Sequence, residues 1–100
     1  MKTASNQSAL KVLQVLKILM RHFVHGLTPG DIARATSLPA SAITRYVATL
    51  EEEGLAERIP ETGRIRPSIR LAQDAVGILS EVEKNKQRLD EIQTRLTINR

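Results

Sequence analysis

Two prolines and two glycines divide the middle of the chain so closely that it can hold only two short helices joined by a tight turn. Thr28 and Pro29 have the character of an N-cap and a first helical residue, and Pro39 opens another helix shortly afterwards. Gly26 and Gly54, residues of a type that favours helix ends, bound the segment on either side. The segment therefore predicts a helix-turn-helix.

The two helices of this segment differ in what they offer to solvent. The first is predicted to end near Thr36, with Ile32 and Ala33 facing inward. The second covers residues 39–53, and a helical wheel gives it two faces. Ile43, Tyr46, Val47 and Leu50 form the inward cluster, whereas Ser41, Arg45 and Ala48 lie opposite, with Thr44 and Thr49 at the borders. The first of these faces is predicted to pack in the core, and the second is predicted to be exposed to solvent.

A longer amphipathic helix is predicted before this pair, from Ser8 to Gly26. Its apolar residues recur with helical spacing and comprise Ala9, Val12, Leu13, Leu16, Leu19, Met20, Phe23 and Val24. Leu10, Val15 and Ile18 lie off this stripe, which suggests contact with a further neighbour such as a partner subunit.

A β-hairpin is predicted after the third helix. Residues 56–59 and 68–71 are short, partly alternating segments, and the loop 60–67 between them contains proline and glycine. Arg64 and Arg66 follow Gly63 and are predicted to lie at the tip of the hairpin.

Residues 72–100 predict a C-terminal helical segment, with a break into two segments near Gly77 to Ser80 as an open alternative. A coiled-coil seam runs through it, formed by Leu71, Ala75, Ile78, Val82, Asn85, Leu89, Ile92 and Leu96. In this register Glu81 and Lys86 could pair between parallel chains. The alternative to the seam is a helix that packs back on its own domain.

Composition limits the classes of function. The chain has 100 residues, a net charge of +4, two aromatic residues and no cysteine, which fits one cytoplasmic domain and excludes thiol chemistry and base stacking on exposed rings. His22 and His25 lack a nearby acid, so no metal is expected. No catalytic residues and no cofactor are expected either, since neither a phosphate loop nor a catalytic triad is present.

The order of helices and hairpin is that of a mainly α winged helix-turn-helix with a small β-hairpin. Such a domain places one helix in the major groove of double-stranded DNA and a hairpin beside it on the backbone or in the minor groove. Ser41, Thr44 and Arg45 are the candidates for base edges, and Thr49 for the backbone. Thr28, Arg64 and Arg66 are the candidates for phosphate contacts.

Residues 27–54 resemble the N-terminal DNA-binding domain of the IclR family of bacterial transcription regulators. The matching residues are Ala33 through Thr36, Leu38-Pro39, Ser41, Arg45, Ala48-Thr49-Leu50 and Glu52-Glu53-Gly54, together with Ser8-Ala9-Leu10 and Ile69-Arg70-Leu71. The resemblance covers about residues 8–75 and implies an operator-reading third helix, a dimer made partly by the first helix, and a wing. Ala40 and Ala42 stand where the family often has polar or basic residues, and the effector-binding domain is missing, so no small-molecule effector is expected.

The sequence thus predicts a flexible tail at 1–7, a DNA-binding domain at 8–71 and a dimerising helical segment at 72–100. We expect a homodimeric, sequence-specific transcription regulator without a membrane partner. Its dimerisation residues are expected to be Leu10, Ile78, Val82, Leu89, Ile92 and Leu96. The alternative is a winged-helix module that binds another protein.

Overall fold

The computed structural model describes residues 3–98 and shows three helices, a hairpin and a long final helix. The elements are α1 (Gln7–Leu19), α2 (Pro29–Thr36), α3 (Ala40–Glu52), β1 (Ala56–Arg58), β2 (Ile65–Pro67) and α4 (Ile69–Ile98). α2 begins and ends where the sequence predicts, and α3 is one residue shorter at each end than the predicted 39–53, with Pro39 as its N-cap. Proline and capping residues fix these ends locally. Between them Ser37 adopts a left-handed conformation, with φ of 59°, which makes the turn tight.

α1 is shorter than the sequence predicts. It ends at Leu19, well before Gly26, and the chain then turns so that Leu27 reaches the sheet. There the backbones of Leu27 and Ile65 exchange two hydrogen bonds of 2.8 Å. Gly26 has a φ of +69°, and a Cβ at this position would lie 2.8 Å from the Ile65 carbonyl oxygen. The contact with the hairpin therefore decides where the helix stops.

The buried face of α1 also differs from the predicted stripe. Val15, predicted to lie off the stripe, is fully buried together with Leu19, whereas Leu13 is exposed. Val12, Leu16 and Leu19 of the stripe do pack in or against the core, whereas Phe23 and Val24 lie beyond the end of the helix.

The core lies between the first three helices and the hairpin. Its buried members come from every one of these elements and are Val15, Leu19, Ile32, Ile43, Val47, Leu50, Ala56 and Ile65. This packing holds α3 rigidly by one face and leaves the other free.

The hairpin is an antiparallel pair in which Ala56, Glu57 and Arg58 lie opposite Pro67, Arg66 and Ile65. The second strand therefore ends at Pro67, and the prediction of a strand at 68–71 is wrong. Ser68 ends the strand because its side chain caps α4: the hydroxyl accepts a hydrogen bond from the Leu71 N–H at 3.0 Å.

α4 is one continuous helix of 30 residues, without a break at Gly77 or Ser80. Within the described chain it has no buried residue, and every side chain from residue 73 to residue 98 is exposed. The C-terminal helix therefore does not pack back on its own domain in the single chain, contrary to the alternative that the sequence left open. No helix in residues 3–98 is both long and apolar enough to span a bilayer.

Ser68 joins α4 to the end of α3, and its removal is expected to destabilise the domain. The buried hydroxyl donates to the Gly54 carbonyl oxygen at 2.7 Å as well as capping the helix. Ser68→Ala is therefore expected to lower the free energy of unfolding by about 2 kcal/mol, measured by urea denaturation. Ser80→Ala, on the exposed surface of the same helix, is the control and should change it by less than about 0.5 kcal/mol. Equal stabilities for the two variants would contradict this role.

Candidate nucleic-acid interface

The outward face of α3 carries the polar side chains that the sequence predicts. Ser41, Thr44, Arg45 and Thr49 are all exposed and follow one another at helical spacing. Ala42 is different: only 7 % of it is exposed, so it belongs to the packed face of the helix and does not thin the presented surface. We call Ser41, Thr44 and Arg45 the polar strip.

Arg45 is not neutralised by any carboxylate among residues 3–98. Its guanidinium lies 5.9 Å from the centre of the Tyr46 ring, and among residues 3–98 it forms no ion pair with a carboxylate. Nor does any hydrogen bond within this part of the chain occupy the hydroxyls of Ser41 and Thr44. The polar strip therefore keeps its donors available for an external acceptor.

Thr49 is less available. Its hydroxyl donates to the Arg45 carbonyl oxygen at 3.0 Å, so its proton is already used within the helix. The side chain lies in an open groove between α3 and the first turn of α1, where Asn6, Ser8 and Tyr46 are its neighbours. Thr49 can accept a hydrogen bond there, but it is a poor donor to a phosphate.

The beginning of α2 is closed by a reciprocal cap, which uses the amides of Thr28 and Asp31. The Thr28 N–H donates to the Asp31 carboxylate at 3.0 Å, and the Asp31 N–H donates to the Thr28 hydroxyl at 3.1 Å. These bonds leave the Gly30 N–H for a ligand. Arg34 forms an ion pair with Asp31.

The charge of Asp31 is favoured in the folded state. Hydrogen bonds with the backbone and side chain of Thr28 hold the pKa of this carboxyl below its ordinary value of 3.8, and the positive charges of Arg34 and Arg64 act in the same direction. A lowered pKa stabilises the fold above the ordinary value, and this contribution is lost as the pH falls through the lower folded-state value.

Asp31→Asn is therefore expected to lower the melting temperature at pH 7, and the difference from the wild type should shrink as the pH falls below 3.8. The amide keeps an acceptor for Thr28 but carries no charge, so the comparison isolates the charge. Thermal unfolding followed by circular dichroism between pH 7 and pH 2 measures this. A difference that stays constant over that range would show that the charge of Asp31 contributes nothing.

The two hairpin arginines do not lie at the tip where the sequence predicts them. The tip is formed by residues 60–63 and carries Glu61. Arg64 lies beside the tip, half-buried, and donates to the Gly26 carbonyl oxygen at 3.4 Å. This bond and the Leu27–Ile65 bridge bring the hairpin to the residues that precede α2. We call Thr28, Asp31, Arg34 and Arg64, which lie around this junction, the α2–wing corner.

Arg66 has a structural position. Its Nε and one terminal nitrogen donate to the same oxygen of Glu57 at 3.0 and 2.8 Å, and its guanidinium lies 5.4 Å from the centre of the Phe23 ring. The other oxygen of Glu57 accepts a hydrogen bond from the Ile69 N–H. Only 19 % of the Arg66 side chain is exposed. The residue ties the hairpin to α4 because the strand register places it directly opposite Glu57.

Two exposed arginines near this surface are not among the residues that the sequence predicts. Arg58, at the end of β1, donates to the Gly63 carbonyl oxygen at 3.5 Å and approaches Glu51 at 3.5 Å. Arg34 is three-quarters exposed on α2. For Arg58 the sequence did contain a signal: successive residues of a strand face opposite sides, so Arg58 and Glu57 are expected on different faces of β1.

The two histidines lie in the turn after α1 rather than on the helix. In the part of the chain from residue 3 to residue 98, no three histidine, aspartate or glutamate side chains are arranged to hold a metal ion.

Comparison with solved structures shows what the fold is similar to. A crystal structure of an IclR family transcriptional regulator from Brucella abortus matches 79 % of this chain and 31 % of its own, at 24 % identity and a TM-score of 0.56. A MarR family transcriptional regulator from Silicibacter pomeroyi DSS matches 86 % of this chain and 62 % of its own, at 24 % identity and a TM-score of 0.51. The chain thus spans less than two thirds of the length of either neighbour. At this identity the likeness shows a shared winged helix-turn-helix fold, which confirms the predicted fold class.

No curated protein matches the sequence. The family comparison is decisive, because the model of the IclR helix-turn-helix domain matches residues 8–60, more than half of the chain and nearly all of the three helices α1, α2 and α3. By this match the chain belongs to the family of IclR helix-turn-helix domains.

Proposed function

We propose that this protein is a homodimeric transcription regulator that binds double-stranded DNA sequence-specifically, with α3 in the major groove. The observation that carries the proposal is the polar strip, whose unpaired donors stand on a helix held rigidly by the buried Ile43, Val47 and Leu50. An α-helix fits the major groove, and a planar guanidinium such as that of Arg45 can donate two hydrogen bonds to guanine. Ser41 and Thr44 are proposed to contact neighbouring base edges.

The α2–wing corner is proposed to hold the DNA backbone beside the recognition helix. The two positive charges of Arg34 and Arg64 exceed the single negative charge of Asp31, and the Gly30 N–H adds a neutral donor. Such contacts fix the register of the protein on the duplex without reading its sequence. Arg66 is left out of this surface because it is paired with Glu57 through two hydrogen bonds and only 19 % of its side chain is exposed.

The dimer is proposed to form mainly through α4. Its seam exposes Ile78, Val82, Leu89, Ile92 and Leu96 to solvent in the single chain, a cost that pairing with a second copy removes. Leu10 of α1, which is 41 % exposed, is a further candidate contact. A two-fold dimer carries two recognition helices, so we expect an inverted-repeat site with half-sites about 34 Å apart or a multiple of that distance.

Fluorescence anisotropy with duplexes at several salt concentrations tests the backbone contacts. Arg64→Ala is expected to weaken binding to all sequences and to make the dependence of log K on log salt shallower by about 0.9, the value for one phosphate contact. Arg66→Ala is the matched control: it should lower the melting temperature and leave the salt slope unchanged. An unaltered slope for Arg64→Ala would remove the wing from the interface.

The second candidate is a winged-helix module that holds another protein, favoured by the exposed seam of α4. The same titrations separate the two functions. A regulator retains its preference among duplexes as the salt concentration rises, whereas a module with incidental positive charge loses all DNA binding together.

A further inference from the structure

We propose that α4 pairs with a second copy of this chain in the antiparallel direction, so that the two winged domains stand at opposite ends of a helical pair. The proposal deepens the homodimer proposed above and rests on it. The surface concerned is the seam of α4, which alternates between the a positions Ala75, Val82, Leu89 and Leu96 and the d positions Leu71, Ile78, Asn85 and Ile92.

The charges beside the seam favour antiparallel helices. Positions g of the heptad are Asp74, Glu81, Arg88 and Arg95, acidic in the first half of the helix and basic in the second. Antiparallel pairing sets g against g, so that Glu81 faces Arg88 of the second copy and Asp74 faces its Arg95. Parallel pairing sets g against e and offers only Glu81 with Lys86 of the other copy. Within residues 3–98 none of the g side chains makes an ion pair in its own chain.

The sizes of the seam residues point in the same direction. Parallel pairing would place Ala75 against Ala75, a thin layer, whereas antiparallel pairing places Ala75 against Ile92 and Ile78 against Leu89. Parallel dimers also prefer β-branched residues at a and leucine at d, and this seam has leucine at two a positions and isoleucine at two d positions. Antiparallel layers combine a with d and are free of that preference.

An apolar recess lies where α4 leaves the domain. It is lined by Met20, Phe23, Pro67, Leu71, Ala72 and Ala75. In the antiparallel register, Leu96 of the second copy stands level with Leu71, at this recess. Leu96 is 77 % exposed and Met20 52 % exposed in the single chain, and the contact would cover both. The end of each α4 thus has a receiving surface on the other copy.

The arrangement separates the two domains along the helical pair. At 1.5 Å per residue, the first turns of the two α4 helices are about 44 Å apart along the shared axis. This exceeds one turn of B-DNA, about 34 Å, so half-sites more than one turn apart are expected.

Disulfide trapping tests the direction of pairing, because the chain has no cysteine of its own. Ile78→Cys and Leu89→Cys chains are co-expressed and mildly oxidised, and the Leu89→Cys chain is oxidised alone. Both positions are exposed in the single chain, so neither change disturbs the core. Antiparallel helices place residue 78 against residue 89 and hold the two copies of residue 89 about 16 Å apart along the axis. Gln87→Cys, on the outer face, is the control for random linkage.

We expect a covalent heterodimer in the mixture and none from Leu89→Cys alone. Linkage of Leu89→Cys to itself, without linkage in the mixture, would mean parallel helices; it would overturn this proposal and leave the homodimer standing. A dimer in which neither linkage forms would place the interface elsewhere and overturn it as well. A wild-type chain that sediments as a monomer would remove the homodimer itself.

Charge exchange provides a second readout. Arg88→Glu is expected to weaken the dimer about tenfold, because each introduced carboxylate would face Glu81 of the other copy, and the exchange Glu81→Arg with Arg88→Glu should restore it. In parallel helices position 88 faces the uncharged Gln93, so an unchanged dissociation constant for Arg88→Glu would contradict the antiparallel register.

Discussion

Leu89→Lys is expected to convert the dimer into a monomer. Leu89 lies in the second half of the seam of α4 and is 65 % exposed in the single chain, so its burial depends on a second copy. Each dimer loses two leucine contacts, worth about 1.5–3 kcal/mol each, and must in addition accommodate two ammonium groups against apolar side chains. Sedimentation equilibrium should therefore give the mass of one chain at concentrations where the wild type has twice that mass.

The same substitution is expected to weaken binding to an inverted repeat by about a hundredfold or more, because the second half-site no longer binds as part of the same molecule. Binding to an isolated half-site should change little, since the polar strip is far from Leu89 in the sequence and α4 does not cover it. Gln87→Lys adds the same charge on the outer face of α4 and is the control. An unaltered mass for Leu89→Lys would place the dimer interface outside the seam.

Arg45→Ala is expected to cost about 1–3 kcal/mol at the specific site and to relax the preference at one base pair. The reason is that Arg45 has no carboxylate partner among the described residues, so its guanidinium is free to donate to a base. Binding competitions between the preferred duplex and duplexes changed at single positions measure the effect.

Arg45→Lys sharpens this test, since lysine keeps the charge but lacks the planar fork. The salt dependence should stay the same while most of the selectivity is lost. If Arg45→Ala weakens binding to all duplexes equally, the residue contacts phosphate and the base-reading role is wrong.

Local signals were sufficient for the part of the fold that carries the proposed site. Pro29, Pro39 and Gly54 set the ends of α2 and α3 through their own backbone chemistry, so both helices and the exposed polar strip were predictable from sequence. Nothing beyond the helical repeat was needed to place Ser41 and Arg45 on one face.

Features that depend on contacts distant in sequence were not predictable. α1 stops at Leu19 because the following turn must bring Leu27 to Ile65. β2 ends before Ser68, whose hydroxyl caps α4 and also binds the Gly54 carbonyl oxygen, 14 residues earlier in the chain. Because Arg66 follows Gly63 closely in the sequence, it was predicted to lie at the hairpin tip. The strand register instead places it opposite Glu57. These corrections concern the end of α1 and the hairpin, and they leave the position of the polar strip on α3 unchanged.

Selection of bound duplexes from a random pool tests the central claim most directly, that the polar strip of α3 reads DNA sequence. We predict enrichment of an inverted repeat by the wild type, and loss of the preference at one position of each half-site with Arg45→Ala. A pool that stays random after selection with the wild type, or an enriched motif that Arg45→Ala leaves unchanged, would contradict the claim.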